Sequence, residues 1–281
     1  MRHHYADDGR IMTPPIELKP LLKSSFDAFS ELIGHIRFFY IANEIWDGEY
    51  SLLFSADGEQ FIAITLADGA FNVHIAKKNF RITDEILPEA IIETLKRAVP
   101  LERCRPSEQL TMNMDDPAKF PCGYRCDMCL LNRKQNEDDF SASNKFGYLN
   151  WLCYCDCVPN MDIERPEQNG KNEWSCPGCA SSPWKKECRY FICPIEKGYA
   201  NCIECGEYHS CDVQSDGHYS AQCSLGMTAE EVTSLVIPYC MKERFDIFHN
   251  SALQAHIHLR DFTLSRRKAL RAMGGRVQKC L

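Results

Sequence analysis

The 281-residue chain lacks several features that would place a protein in a class at once. No run of eighteen or more apolar residues occurs, so no transmembrane helix is expected. The opening residues, MRHHYADDGRIMTPP, lack the apolar core of a signal peptide, and we therefore expect a cytoplasmic protein. With 32 Lys and Arg against 39 Asp and Glu, the net charge of −7 argues against a surface that binds nucleic acid throughout.

Residues 13–115 also lack a nucleophile motif, a phosphate loop and any metal-ligand spacing. Apolar side chains recur at helical spacing from Leu18 to Ile36, which predicts an N-terminal helix. The run EYSLLFSADGEQFIAITLADGAFNVHI follows, and its Asp-Gly pairs at 57–58 and 68–69 predict an antiparallel meander. This segment is therefore predicted to be an α+β domain.

Two further elements are predicted at the end of this domain. Residues 83–85 are expected to open a helix that ends before Pro100. The stretch SEQLTMNM, residues 107–114, predicts a last strand.

Cysteine is unusually frequent, with 17 in the chain, of which 14 lie between Cys122 and Cys223. In a reducing cytosol, clustered thiols bind metal more often than they form disulfides. Cys104 and Cys240 lie outside the cluster, and we expect them to be small core residues. Residues 116–226 hold few long apolar runs, so a hydrophobic core alone is not expected to hold them.

The cysteines recur in short motifs that suit metal ligation. The predicted ligands are Cys122, Cys126 and Cys129 in CGYRCDMC, Cys176 and Cys179 in CPGC, Cys188 and Cys193 in CRYFIC, and Cys202, Cys205 and Cys211 in CIECGEYHSC. A two-residue gap between cysteines lets a tight turn point both sulfurs at one ion, and Gly178 and Gly206 supply the backbone freedom for such turns.

Several ways of sharing these ligands stay open. Fourteen thiols fill three four-cysteine zinc sites and leave two over. One grouping joins the 176/179 pair to the 188/193 pair. The 202/205/211 set then takes its fourth ligand from Cys223, from His209 or from the cluster at Cys122. The thiols of Cys153, Cys155 and Cys157 are either further ligands or one face of a strand.

An iron–sulfur cluster is the alternative to zinc, because cysteine thiolates hold both. Cys122, Cys126 and Cys129 have the spacing with which radical S-adenosylmethionine enzymes hold a four-iron cluster, but no alternating strands and helices follow to build the barrel of those enzymes. Three thiols with an open metal position would permit redox or enzymatic chemistry, whereas four thiols close the site. Binding of a small ligand by the N-terminal sheet is a third hypothesis.

The succession CGYRCDMC, CPGC and CRYFICPIEKGYANCIECGEYHSC resembles a bacterial and archaeal family of uncharacterised cysteine-rich proteins, over residues 122–211. The resemblance implies zinc binding and implies no activity. The pattern EYSLLFSADGEQFIAITL gives residues 13–115 a general likeness to a small uncharacterised bacterial α+β domain, in which a helix precedes a curved antiparallel sheet.

The last predicted segment, residues 227–281, is helical. Thr228 and Glu231 have capping-box spacing, and Pro238 interrupts the periodicity that follows. From Arg260 onward there are seven Lys or Arg and one acid, and the basic tail from Arg266 to Lys279 would suit nucleic acid, a protein or another acidic partner. The chain is thus predicted to be an α+β protein with a metal-stabilised cysteine-rich middle domain, acting as a binding or adaptor module. Whether it is also an enzyme is not decided by the sequence.

Overall fold

A computed structural model of the chain describes residues 17–110, 189–199, 202, 205–211, 227–240, 243–247 and 250. These residues fall into two compact units. Residues 17–105 and 227–232 belong to the first unit, and the other described residues belong to the second. The fold is α+β, as the sequence predicts.

The N-terminal helical stretch is broken in two. Helix α1 spans Leu18–Leu22, a 3₁₀ turn covers Lys23–Ser25, and helix α2 spans Phe26–Phe39. Lys23 has φ 51° and ψ −122°, a conformation outside the helical region, so one continuous helix is excluded. The predicted apolar face is nevertheless confirmed, because its positions are buried on both sides of the break.

The predicted meander is confirmed as a five-stranded antiparallel sheet in sequential order. Its strands are β1 Asn43–Asp47, β2 Ser51–Ala56, β3 Glu59–Ala67, β4 Ala70–Ile75 and β5 Lys78–Ile82. Asp57 and Gly58 both have positive φ, at 50° and 80°, which matches the twist of a two-residue hairpin turn. At the second Asp-Gly turn only Gly69 has a positive φ, of 65°.

One face of this sheet forms the core of the first unit with the helices. The strands contribute Leu52, Phe54, Ile62, Ile64, Leu66, Phe71, Val73 and Ile75. The edge of the Phe71 ring faces the ring of Phe29 in α2, with centroids 5.6 Å apart. Burying every second strand residue in this way fixes the strand register, since a slip by one residue would expose the apolar set.

The helix predicted to open at residues 83–85 begins later than expected. Helix α3 spans Glu89–Ala98, and its N-cap residue, Pro88, has φ −64° and ψ 128°. A proline disfavours helical backbone at the residue before it, so residues up to Leu87 cannot readily join the helix. The predicted end before Pro100 is correct.

The strand predicted over residues 107–114 is wrong in its first half. Ser107–Leu110 form a short helix, α4, in which the Gln109 amide donates to the carbonyl of Pro106 at 2.9 Å. Arg244 donates to the Gln109 carbonyl at 3.2 Å, a contact between distant parts of the sequence that alternating polarity does not reveal. Residues 111–114 lie outside the described residues.

Among its described residues, the first unit buries four charged side chains: Arg37, Glu44, Arg105 and Glu231. Arg37 donates two hydrogen bonds to the Glu44 carboxylate, at 2.5 and 2.8 Å. Arg105 donates to the backbone carbonyl of Arg37 at 2.9 Å. Burial raises the pKa of Glu44, and the charge and hydrogen bonds of Arg37 oppose that rise.

Residues 227–232 pack at the free edge of β1. The Glu44 amide donates to the Met227 carbonyl at 2.7 Å, and the Ala229 amide donates to Asn43 Oδ1 at 2.8 Å. The capping box is confirmed: the Glu231 amide donates to Thr228 Oγ1 at 3.2 Å, and the Thr228 amide donates to the Glu231 carboxylate at 2.8 Å.

The remaining described helices are short. Helix α5 spans Arg189–Glu196 and helix α6 spans Ala229–Glu231. A π-helical stretch covers Val232–Val236, a 3₁₀ turn covers Ile237–Tyr239, and a helical turn lies at 243–247. The helical character predicted for residues 227–281 is confirmed where the structure describes them, whereas helix α5 was not predicted. Among all the residues that the structure describes, no helix combines the length and the apolarity needed to cross a membrane.

Candidate metal centre

Helix α5 carries Cys193 and ends in a glycine-dependent reversal. Gly198 has φ 72°, its amide donates to the Ile195 carbonyl at 3.0 Å, and the Tyr199 amide donates to the Pro194 carbonyl at 2.8 Å. These two bonds define a Schellman motif, which satisfies the last carbonyls of a helix and turns the chain back. Lys197 is therefore held as the residue that ends α5.

The next cysteines lie on consecutive tight turns. The Cys205 amide donates to the Cys202 carbonyl at 3.1 Å, which closes a four-residue turn over the Cys-x-x-Cys motif. A turn of this kind holds the two end Cα atoms within about 7 Å, near enough for both thiols to reach one ion. The Tyr208 amide bonds the Cys205 carbonyl at 3.1 Å, and the Cys211 amide bonds the Tyr208 carbonyl at 3.4 Å. We call residues 202–211 the knuckle.

The ammonium of Lys197 joins the end of α5 to the knuckle. Its Nζ atom lies 3.8 Å from Cys205 Sγ and 2.5 Å from Glu207 Oε2. The hydrogen bond to Glu207 raises the pKa of Lys197, and the thiols of Cys205 and Cys193 add to that rise. The same hydrogen bond lowers the pKa of Glu207. One positive charge therefore lies beside the predicted ligand Cys205.

Tyr208 is the apolar support of the knuckle. Its side chain is 4% exposed, and its ring meets the edge of Phe245 with centroids 5.8 Å apart. Its hydroxyl donates to Asp246 Oδ1 at 2.9 Å. Burial is the main cause that raises the pKa of Tyr208, and the negative charge of Asp246 raises it further. Through Tyr208, the knuckle packs on residues that follow it by more than thirty positions.

A buried arginine organises the backbone near that contact. Arg244 is fully buried and donates to the carbonyls of Pro238 at 3.3 Å and Cys240 at 3.1 Å, and also to that of Ile237. Three carbonyls at the end of a 3₁₀ turn thus share one cation, which suits the negative end of the helix dipole. This arginine therefore holds the backbone against which the 243–247 turn is built.

The structure describes four of the fourteen predicted ligands: Cys193, Cys202, Cys205 and Cys211. All four are half-buried and none is in a disulfide. The other ten lie outside the described residues: Cys122, Cys126, Cys129, Cys153, Cys155, Cys157, Cys176, Cys179, Cys188 and Cys223. The side chain of His209, the alternative ligand, also lies outside the described part of the chain.

Within the described ranges, no group of three or more His, Cys, Asp or Glu is arranged to hold a metal ion. The four described cysteines are half-buried thiols that form no disulfide. Cysteine thiolates are ligands of structural zinc and of iron–sulfur clusters alike. Their grouping into sites involves cysteines beyond the described residues, so both zinc and an iron–sulfur cluster remain hypotheses.

Of the two cysteines predicted to be core residues, Cys240 is confirmed as buried, whereas Cys104 is only partly buried at the edge of the core. Cys240 is buried, and its thiol donates to the Val236 carbonyl at 3.5 Å. Cys104 is half-buried and packs against the core of the first unit, where burial raises the pKa of its thiol.

Sequence reasoning missed two residues at the Cys205 thiol, namely Lys197 at the end of α5 and Glu207 within the knuckle. The available signal was the sequence CPIEKG, in which a lysine directly precedes the glycine that ends a helix containing a cysteine. Tyr208 was missed as well, because its partners Phe245 and Asp246 are distant in sequence.

In comparison with known protein families, one family model matches the cysteine-rich part of the chain. Residues 118–216 match the model of a family described as protein of unknown function, DUF3795. The matched residues include every cysteine from Cys122 to Cys211, and the family description names no metal and no activity. No curated protein and no solved structure shows a significant match to the chain.

Proposed function

We propose that residues 116–226 form a zinc-binding module whose thiolate–metal bonds replace a hydrophobic core, in a protein that acts as a binding or adaptor module. The observation that carries the proposal is the compact turn from Cys202 to Cys205, which follows the reversal after Cys193 and sets the Cys205 thiol beside the ammonium of Lys197. Because no site exists in the unfolded chain, the free energy of metal binding becomes folding free energy.

The surroundings of the knuckle support a structural role for its cysteines. Among the described residues of the knuckle, Tyr208 is the one large buried side chain, and the backbone hydrogen bonds there each close a single turn. Turns of this kind are marginal without another source of stability, and small domains commonly obtain it from a structural metal. A reducing compartment such as the cytoplasm would keep the thiols available to the ion.

The test is metal content and colour of the full chain, purified both with and without oxygen. We expect a colourless protein that contains roughly three equivalents of zinc, since four thiols close one site. A brown protein that contains iron and acid-labile sulfide would show that the cysteines hold an iron–sulfur cluster and not zinc. A folded, reduced protein that contains no metal would overturn the proposal.

A matched pair of cysteine variants assigns the metal to the knuckle. Cys205→Ser should lose one equivalent of zinc, whereas Cys240→Ser, which alters a buried core thiol of the same unit, should keep the full content. Equal zinc content in both variants would show that Cys205 is not a ligand.

A further inference from the structure

The ammonium of Lys197 contacts two particular side chains, those of Cys205 and Glu207, although Lys197 is exposed to solvent. Its side chain is 41% exposed and that of Glu207 is 74% exposed. Ion pairs this exposed contribute little to stability, because water competes for both charges. The third member of the contact is different in kind, since Cys205 Sγ is a predicted metal ligand 3.8 Å from the ammonium.

The position of Lys197 is fixed at both ends. Its amide donates to the Cys193 carbonyl at 3.1 Å, and the reversal at Gly198 sets the direction in which the chain leaves α5. At the other end, Glu207 Oε2 holds the ammonium at 2.5 Å, from a position two residues after Cys205. The ammonium is thus held over the sulfur by groups on both sides of it.

The charge of a zinc–thiolate site explains why an ammonium beside Cys205 would be favourable. A Zn²⁺ ion with four thiolates carries a net charge of −2, and the sulfurs carry most of it. A donor to a ligating sulfur lowers the repulsion among the thiolates and orients the ligand, and losing such an outer partner typically costs 10- to 100-fold in metal affinity. Charged donors make the stronger bonds of this type.

We infer that Lys197 is an outer partner of the metal site, donating an N–H···S hydrogen bond to the ligating thiolate of Cys205 while Glu207 holds its ammonium in place. The inference rests on the proposed function, because it requires metal at Cys205. It assigns a metal-tuning role to two residues that are not themselves ligands.

The test uses the full chain loaded with zinc, and with cobalt(II) as a coloured substitute. Lys197→Met removes the charge and the donors but keeps an unbranched side chain of similar reach. Lys197→Arg keeps both the charge and the donors. Lys77→Met, at an exposed turn of the first unit, controls for the loss of one surface lysine. Affinity is measured by competition with a chromophoric chelator, and stoichiometry by element analysis.

We expect Lys197→Met to bind the same number of zinc ions with about 10-fold lower affinity at one site. The thiolate-to-cobalt charge-transfer band should move to longer wavelength, because the sulfur lone pair loses its proton donor. Lys197→Arg and Lys77→Met should resemble the parent. A Lys197→Met protein with parental affinity and spectrum would overturn the inference and leave the proposed function standing.

Two further outcomes keep the test decisive. If Lys197→Met does not fold, Glu207→Gln retains the ammonium but weakens its anchor, and it should give a smaller loss of affinity in the same direction. An unchanged affinity in Glu207→Gln would then contradict the inference. A parent protein that binds neither zinc nor cobalt would overturn the inference together with the proposed function.

Discussion

Arg37 and Glu44 form a two-pronged ion pair inside the first unit, with their side chains 2% and 1% exposed. A second pair of similar length, Lys23 and Asp68 at 2.7 Å, lies on the surface of the same unit with exposures of 58% and 77%. The two pairs differ mainly in burial. Comparing the two pairs therefore tests how burial changes the contribution of an ion pair to the free energy of unfolding.

Glu44→Gln is expected to lower the free energy of unfolding by about 3–5 kcal/mol, because it removes the buried negative charge that accepts two hydrogen bonds from the guanidinium of Arg37. Asp68→Asn, the matched surface change, should cost less than about 1 kcal/mol. Urea unfolding of the full chain measures both. Equal costs for the two variants would contradict the burial argument.

Two glycine-to-alanine changes in the first unit should have opposite signs. A Cβ atom at Gly34 or Gly58 would meet nothing within 4 Å, so only the backbone decides the outcome. Gly34 lies inside α2, and Gly34→Ala should raise stability by roughly 0.5–1 kcal/mol. Gly58 has φ 80°, and Gly58→Ala should lower stability by about 1–2 kcal/mol.

The same urea titrations read out both glycine variants. A stabilising Gly58→Ala would show that the β2–β3 turn does not hold its left-handed conformation in solution. A destabilising Gly34→Ala would show that the environment of α2 at that position is closed to a methyl group.

His35 is expected to make the first unit sensitive to acid. Burial lowers the pKa of His35 from 6.5 to about 4, and the nearby charge of Lys96 on α3 adds to the effect. Its Nε2 atom has no hydrogen-bond partner among the described residues. The folded state therefore holds a neutral imidazole, while the unfolded chain takes up a proton below pH 6.5.

The sign of the pH dependence follows from this difference. The stabilising contribution is fully present above pH 6.5, and it is lost as the pH falls towards 4. At pH 5 the loss should be about 2 kcal/mol. His35→Phe should flatten this part of the profile, whereas His74→Gln, at an exposed position on β4, should leave it parental. A parental profile in His35→Phe would contradict the assignment.

The sequence predicts most of the first unit because its signals are local. The spacing of apolar residues in α2 and the Asp-Gly turns of the meander each depend on neighbours along the chain. The helix at 107–110 receives a hydrogen bond from Arg244, a distant contact that no local pattern contains. The late start of α3 had a local signal in Pro88, and the polar residues before it suggested an earlier N-cap.

The candidate site divides in the same way. Cysteine spacing predicts the turn from Cys202 to Cys205, because both sulfurs must reach one ion. The role of Lys197 depends on where the chain returns after Gly198, a feature of the three-dimensional path. The Arg37–Glu44 pair was missed because charged residues at buried positions look like surface residues until their partner is known.

The most direct test of the central claim is hydrogen exchange of the reduced full chain before and after a strong chelator removes its metal. The account predicts that the amides of residues 193–211 lose their protection on metal removal, while those of the sheet at 43–82 keep theirs. Unchanged protection of residues 193–211, in protein shown by element analysis to be free of metal, would contradict the claim that metal replaces a core in this region.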